Sequence, residues 1–152
     1  MKINRAALLD VNFLIALLDP NHEFHDSAHA WFGENRNQKW ATCPITENGC
    51  VRILSKPGYP NTGLSVAAVR EILAEFCLAK DHVFWPDSTS VLNTTLIDLT
   101  GVGPKNLTDI YLLSVAVANQ GLLVTFDGSI RWQNVSNCSR EALVVLAGKS
   151  AS

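Results

Sequence analysis

Short apolar runs alternate along this chain with stretches whose apolar residues recur at helical spacing. Ala6-Ala7-Leu8-Leu9 stops at Asp10, and the segment that follows stays apolar to Leu18 before Asp19-Pro20 closes it. A brief apolar run leading into a helical pattern predicts a buried parallel strand followed by a helix. Asn12 is the expected cap of that helix. Asn21 is the next expected cap, with Phe24, Ala28, Trp31 and Phe32 at helical spacing to about Asn35. Residues Lys39 to Cys43 predict a short strand, and Pro44 suits the first turn of a helix to about Leu54 with Ile45, Val51 and Leu54 inward.

Beyond this point the turns punctuate the pattern more often. Ser55 to Gly63, with Pro57-Gly58 and Pro60, predicts a turn-rich connection. Ser65 opens a helix to about Ala79, striped by Val69, Ile72, Leu73 and Phe76. Val83 to Trp85 predicts a strand, Ser88 or Ser90 caps a helix to about Leu99, and Gly101-Val102-Gly103-Pro104 breaks the chain. Thr108 is the expected cap of a helix over Asp109 to Gln120, with Gly121 placed for a left-handed C-terminal residue. Leu122 to Phe126 is a strand ending at Asp127, and Ala142 to Leu146 reads as an edge strand. The alternation predicts an α/β layer with a mainly parallel sheet.

Composition narrows the class. At 152 residues, 47% hydrophobic and 17% charged, the chain is expected to form one domain over residues 1–152 with a sizeable core. A net charge of −2 gives no global attraction to nucleic acid, so a polyanionic substrate requires a local basic patch or bound cations. Cys43, Cys50, Cys77 and Cys138 show neither CxxC spacing nor zinc-finger histidines, and read as reduced, mostly buried residues of a cytoplasmic protein. Lys2 and Arg5 before an apolar stretch imitate a leader, but Asp10 interrupts it and Asp19-Pro20 ends it too early for a membrane span. The N-x-S/T matches at Asn93, Asn106, Asn134 and Asn137 carry no meaning without secretion. The glycine stretch at 101–103 lacks both GxGxxG and a Walker lysine. His25 and His29 stand four apart beside His22, but His22-Glu23-Phe24-His25 is one residue short of HExxH, and a capping or solvated role is the favoured reading.

The chemistry gathers at the acids. Asp10 and Asp127 end predicted strands, while Glu47 and Asp109 open predicted helices. In a parallel α/β layer these positions face the same edge, where ligands bind. Any one of them has a simpler reading, such as Glu47 at a favourable helix N-terminus. Together they can converge. Two carboxylates about 5 Å apart repel by roughly 3 kcal/mol at an effective dielectric near 20, so such a group needs cations. Oxygen-only ligation suits Mg²⁺ or Mn²⁺ rather than zinc, as one or two ions, and a pair of ions serves phosphodiester hydrolysis.

These residues resemble a known family. LLDVNFLIALLD, then ATCPITENGCVRIL, then LTDIYLLSVAVANQGLLVTFD follow the order and spacing of the PIN-domain ribonucleases, in particular the VapC toxins of type II toxin–antitoxin pairs. The likeness covers nearly the whole chain. It implies a three-layer α/β/α sandwich and metal-dependent RNA cleavage by water attack in line with the leaving oxygen. By motif position Asp10, Glu47, Asp109 and Asp127 form the catalytic and metal-holding cluster, with Asn12 and Thr125 as polar support. Gly128-Ser129-Ile130-Arg131-Trp132 lacks the further acid that many relatives carry. Arg52, Lys56 and Arg131 are candidate phosphate contacts and Trp132 a candidate base-stacking residue, each with a surface or packing role as the plainer reading. A VapB-like antitoxin covering the acidic edge is expected. A homodimer is also expected, through the apolar helices between residues 44 and 79.

Other classes compete. A haloacid-dehalogenase phosphatase needs a second aspartate where Asn12 stands, and a receiver domain needs an acidic pair and a late lysine that are not evident. A non-catalytic PIN module using the same surface to bind RNA or a protein is disfavoured by four intact acids, because RNA binding would gain from losing that negative charge. A housekeeping PIN nuclease of RNA maturation is the nearest alternative.

Overall fold

The computed structural model describes residues 5–35, 37–60 and 62–147; Lys2, invoked above for a leader-like start, and position 61 of the 55–63 connection lie outside them. The parallel sheet follows from the short apolar runs: β1 (Ala7–Leu9), β2 (Trp40–Thr42), β3 (His82–Phe84), β4 (Leu122–Thr125) and β5 (Leu143–Val145) lie in the order β3-β2-β1-β4-β5, every pair parallel. The two-residue alternation sorts its side chains. Ala7, Leu9, Trp40, Leu122 and Val124 point into one core, and Leu8, Ala41 and Leu123 into the other.

Four helices cover the first face: α1 (Val11–Leu18), α2 (His25–Glu34), α3 (Pro44–Leu54) and α4 (Val66–Phe76). Helix α5 (Leu107–Ala118) and the 3-10 turns cover the second, completing the α/β/α sandwich. Phe13, Leu14, Ile110 and Leu113 are completely or almost completely buried, each contributing about 1.5–3 kcal/mol over exposure. The expected edge strand is confirmed in β5, and β3 forms the opposite edge. All cysteines are free, with Cys43 and Cys50 buried and Cys77 and Cys138 partly so. Among the described residues no helix is long and apolar enough to cross a membrane.

Several local expectations are corrected. Asp10, not Asn12, caps α1: its backbone is extended and its carboxylate accepts the Val11 amide. Helix α2 starts at His25 rather than after Asn21, because Asp19 Oδ1 takes the Asn21 amide and His22 Nδ1 takes the Phe24 amide, turning the chain first. The helix expected up to Leu99 does not form. Asn93 Oδ1 accepts the amides of Thr95 and Leu96, Ser90 Oγ accepts that of Leu92, and the segment ends in an antiparallel bridge from Ile97 to Val135. Helix α5 begins before Thr108, running on from a 3-10 turn over Pro104–Asn106. The left-handed residue after it is Gln120, with φ 56°. Gly121 is required for space, since a Cβ there would stand 2.5 Å from both Ala6 O and Trp85 Cη2.

Candidate functional site

Strand ends place the acids. Asp10 follows β1 and is 4% exposed; its Oδ1 accepts the Val11 amide at 2.7 Å and its Oδ2 accepts the Thr125 hydroxyl at 2.6 Å. Thr125, the last residue of β4, also accepts from Asn12 Nδ2 at 3.3 Å and from the Asp127 amide at 3.1 Å. Asn12 and Thr125, the expected polar neighbours, thus lie in one hydrogen-bonded chain with Asp10. Asn12 Oδ1 is buried with no hydrogen-bond partner among the described residues. An orphaned acceptor of this kind costs about 1–3 kcal/mol, so a donor or cation has a reason to stand there.

Asp109, in the first turn of α5, completes a trio with Asp10 and Asp127. Burial, then the charges of Asp10 and Asp127, push its carboxyl up to about 7, and it shares a side-chain hydrogen bond with Asp127. Burial also raises Asp10. Asp127 goes the other way: Ser129 donates to it through Oγ at 2.6 Å and through its amide at 2.8 Å, holding that carboxylate below its usual range, with a further contribution from Lys105. Two acids of the trio are thus raised and one is lowered, the mark of carboxylates buried and crowded together, with Lys105 contributing only at Asp127. A cleft of about 660 Å³ opens over Asp10 and Asp109, walled by Ile45, Asn48, Arg52 and Thr108.

Glu47 stands apart from this trio. Its Oε2 accepts the Thr42 hydroxyl at 2.6 Å, and it lines a second cleft of about 660 Å³ between α3 and α4 with Arg70, Leu73 and Cys77. His82 Nε2 lies 2.7 Å from the same Thr42 oxygen, and its ring rests 4.7 Å from that of Trp40. Burial pushes the Cys77 thiol up to about 11, so it is no nucleophile at neutral pH. Among the described residues no three His, Cys, Asp or Glu side chains are already arranged to enclose a metal ion. Asp10 and Asp127 are near enough to raise Asp109, while both Asp10 oxygens and Asp127 Oδ1 accept from protein donors.

The cationic candidates divide. Arg52 lines the Asp10 cleft, whereas Lys56 is exposed in the turn beyond α3. Arg131 and Trp132 line a separate groove of about 690 Å³ with Ser129 and Arg140, and Trp132 is half-buried against the second core. His25 Nδ1 meets Ala16 O at 2.7 Å and His29 Nε2 meets Leu17 O at 3.1 Å, so these rings cap the end of α1, in line with the non-metal reading. Sequence reasoning missed Lys105, Ser129, Thr42 and His82. Only Ser129, two residues past a strand-end aspartate, had a local signal, that of an Asx turn.

A parallel sheet flanked on both faces by helices, with aspartates from β1, α5 and β4 meeting at its C-terminal edge, defines the class. The PIN domain model matches residues 7–133, and the chain belongs to the PIN-domain family. It is 43% identical over 141 residues to Ribonuclease VapC44 of Mycobacterium tuberculosis, covering 92% of this chain and 99% of that protein. Ribonuclease VapC39 of the same organism is 39% identical over 125 residues, covering 82% and 90%. A crystal structure of VapBC2 from Rickettsia felis bound to a DNA fragment from their promoter shares the fold, with TM-score 0.57, 14% identity, and 93% and 98% of the two chains covered.

Proposed function

We propose that this protein is a Mg²⁺- or Mn²⁺-dependent ribonuclease that hydrolyses RNA phosphodiester bonds, and the toxin of a pair whose VapB-like antitoxin covers the acidic edge. The observation carrying the reading is the Asp10, Asp109 and Asp127 trio with the Asp109 carboxyl raised to about 7. Its relatives are named ribonucleases, and its structural neighbour is a VapBC complex.

The donors fit a hard divalent cation in kind: oxygen atoms only, coupled carboxylates short of positive charge, and the orphaned Asn12 Oδ1 beside them. Asp10, Asp109 and Asp127 would hold the ion, with Glu47 joining them. Bound there, it supplies neutralising charge and Lewis-acid activation of water and of the scissile phosphate. The chain's own part is positional. Thr125 and Val11 orient Asp10 and Ser129 orients Asp127, while Asp109, in the first turn of α5, would hold the ion as a carboxylate. Arg52, on the cleft wall, is the first candidate to hold the RNA phosphate, ahead of Lys56, Arg131 and Trp132. As in the sequence-based reading, the protein acts in the cytoplasm as a homodimer of single-domain chains.

The test is cleavage of a mixed single-stranded RNA pool with Mg²⁺, with Mn²⁺ and with excess chelator. Cleavage is expected only with metal, and to fall at least about a hundredfold in Asp109→Asn. Activity persisting in chelator sinks the mechanism.

A further inference from the structure

Glu47 and the aspartate trio occupy neighbouring clefts that share Pro44 and Asn48 on their walls. Glu47 lies on α3 between these two shared wall residues, and its side chain lines only the first cleft. In this structure it enters the one away from the trio. What holds it there is a chain of proton donors with a fixed direction. Thr42 is fully buried and its hydroxyl has a single proton, which goes to Glu47 Oε2 at 2.6 Å. The His82 nitrogen 2.7 Å from the same oxygen must then be the donor, which assigns the Nε2–H form of that imidazole. The Trp40 ring packs beside His82, keeping it in place. A carboxylate accepting so short a bond from a buried, pre-oriented hydroxyl is held by a charge-assisted interaction, about twice as strong as a neutral one.

We propose that Thr42 is a positioning residue that keeps Glu47 off the metal-holding site, and that Glu47 joins the aspartates only by exchanging the Thr42 hydroxyl for the cation. Such a contact makes the site three-sided at rest and four-sided when loaded. It also sets metal affinity through a residue that never touches the metal. This inference rests on the metal-dependent reading above.

The experiment is direct metal binding by calorimetry on the whole chain, with Mn²⁺ as the probe, for the wild type, Thr42→Val, Thr42→Ser and Thr42→Val combined with Glu47→Gln. Valine preserves the shape and removes the proton; the expected result is Mn²⁺ affinity about tenfold tighter, the scale of a lost hydrogen bond to a charged group. Serine is expected to restore wild-type affinity, and Glu47→Gln to cancel the gain. Equal affinity in Thr42→Val and wild type overturns the inference. A titration of the wild type with Mg²⁺, followed through the carboxyl carbon signals of Glu47 and the aspartates and through His82 Nε2, covers the case in which valine prevents folding. Movement of the Glu47, His82 and aspartate signals together supports the exchange. Movement of the aspartates alone overturns it and leaves the metal reading standing. Movement of none removes both.

Discussion

Two threonines end the strands on either side of β1 in the same chemical role. Thr125 at the end of β4 and Thr42 at the end of β2 are both fully buried, and each gives its one hydroxyl proton to a carboxylate at 2.6 Å. Their surroundings differ. The acid served by Thr125 is Asp10, nearly inaccessible and close enough to Asp109 and Asp127 for the three charges to repel. The acid served by Thr42 is Glu47, half-buried beside an imidazole and a thiol, with no other carboxylate among the groups seen to bond to it. The same hydroxyl–carboxylate pair is thus part of an electrostatically frustrated site in one place and of a satisfied one in the other. The frustrated region is the one that gains from a ligand, and the satisfied one is the more easily dispensed with for folding.

Replacing each threonine by valine separates the two regions most sharply. Thr125→Val leaves Asp10 buried without its donor and strips an acceptor from Asn12 and the Asp127 amide, a loss of about 2–3 kcal/mol. That corresponds to a fall in melting temperature of roughly 5–10 °C. Thr42→Val strips a donor from Glu47 and an acceptor from His82, but both of these are half-buried and can reach water, so the expected cost is smaller, about 1 kcal/mol and a few degrees. Thermal unfolding of both variants in chelator measures the difference. Equal losses would show that burial and crowding of the acid do not distinguish the regions.

The next effect is pH dependence of the metal-free protein. Asp109 is raised from 3.8 to about 7 on folding, so the folded chain retains a proton that the unfolded chain has released between those values. Stability must then fall as pH climbs from about 4 to about 7, and Asp10, also raised, adds to it with the same sign. Asp127, held low, contributes in the opposite sense, only below its ordinary range. Asp109 is partly open to water, which limits its share to on the order of 1 kcal/mol. Calorimetric melting temperatures should drop by a few degrees between pH 5 and pH 8, and Asp109→Asn should flatten the slope and melt higher at pH 8. A slope unchanged in that variant would remove Asp109 from the explanation.

The smallest effect tests a group outside both regions. His25→Ala and His29→Ala each remove a side chain bonded to a carbonyl at the end of α1, for about 0.5–1.5 kcal/mol. Both are expected to leave the stabilisation by Mn²⁺ undiminished. A lost metal response in either would bring the histidines into the site.

Much of the fold could be read from one dimension. Apolar runs too short for helices gave the buried strands at 7–9 and 122–125, and the helical spacing of Val69 and Leu73 gave α4 with its Ser65 cap. Failures came where a polar side chain captured a nearby backbone amide. Asn93 did so in place of a helix, and Asp10 took the capping role expected of Asn12. Such bonds form among residues two or three apart, too near to disturb an apolar pattern.

For the site, the sequence by itself determined which acids could meet, because strand ends and the helix starts after them share one edge of a parallel sheet. Asp10, Asp109 and Asp127 do meet there. Only the tertiary structure decided where the side chain of Glu47 points. That direction is set by Thr42, five residues back, and by His82, forty residues from Thr42 in sequence but paired with the same strand through Trp40. A backbone position follows from local pattern, but a side-chain rotamer follows from the donors around it, and those come from parts of the chain that only folding brings together.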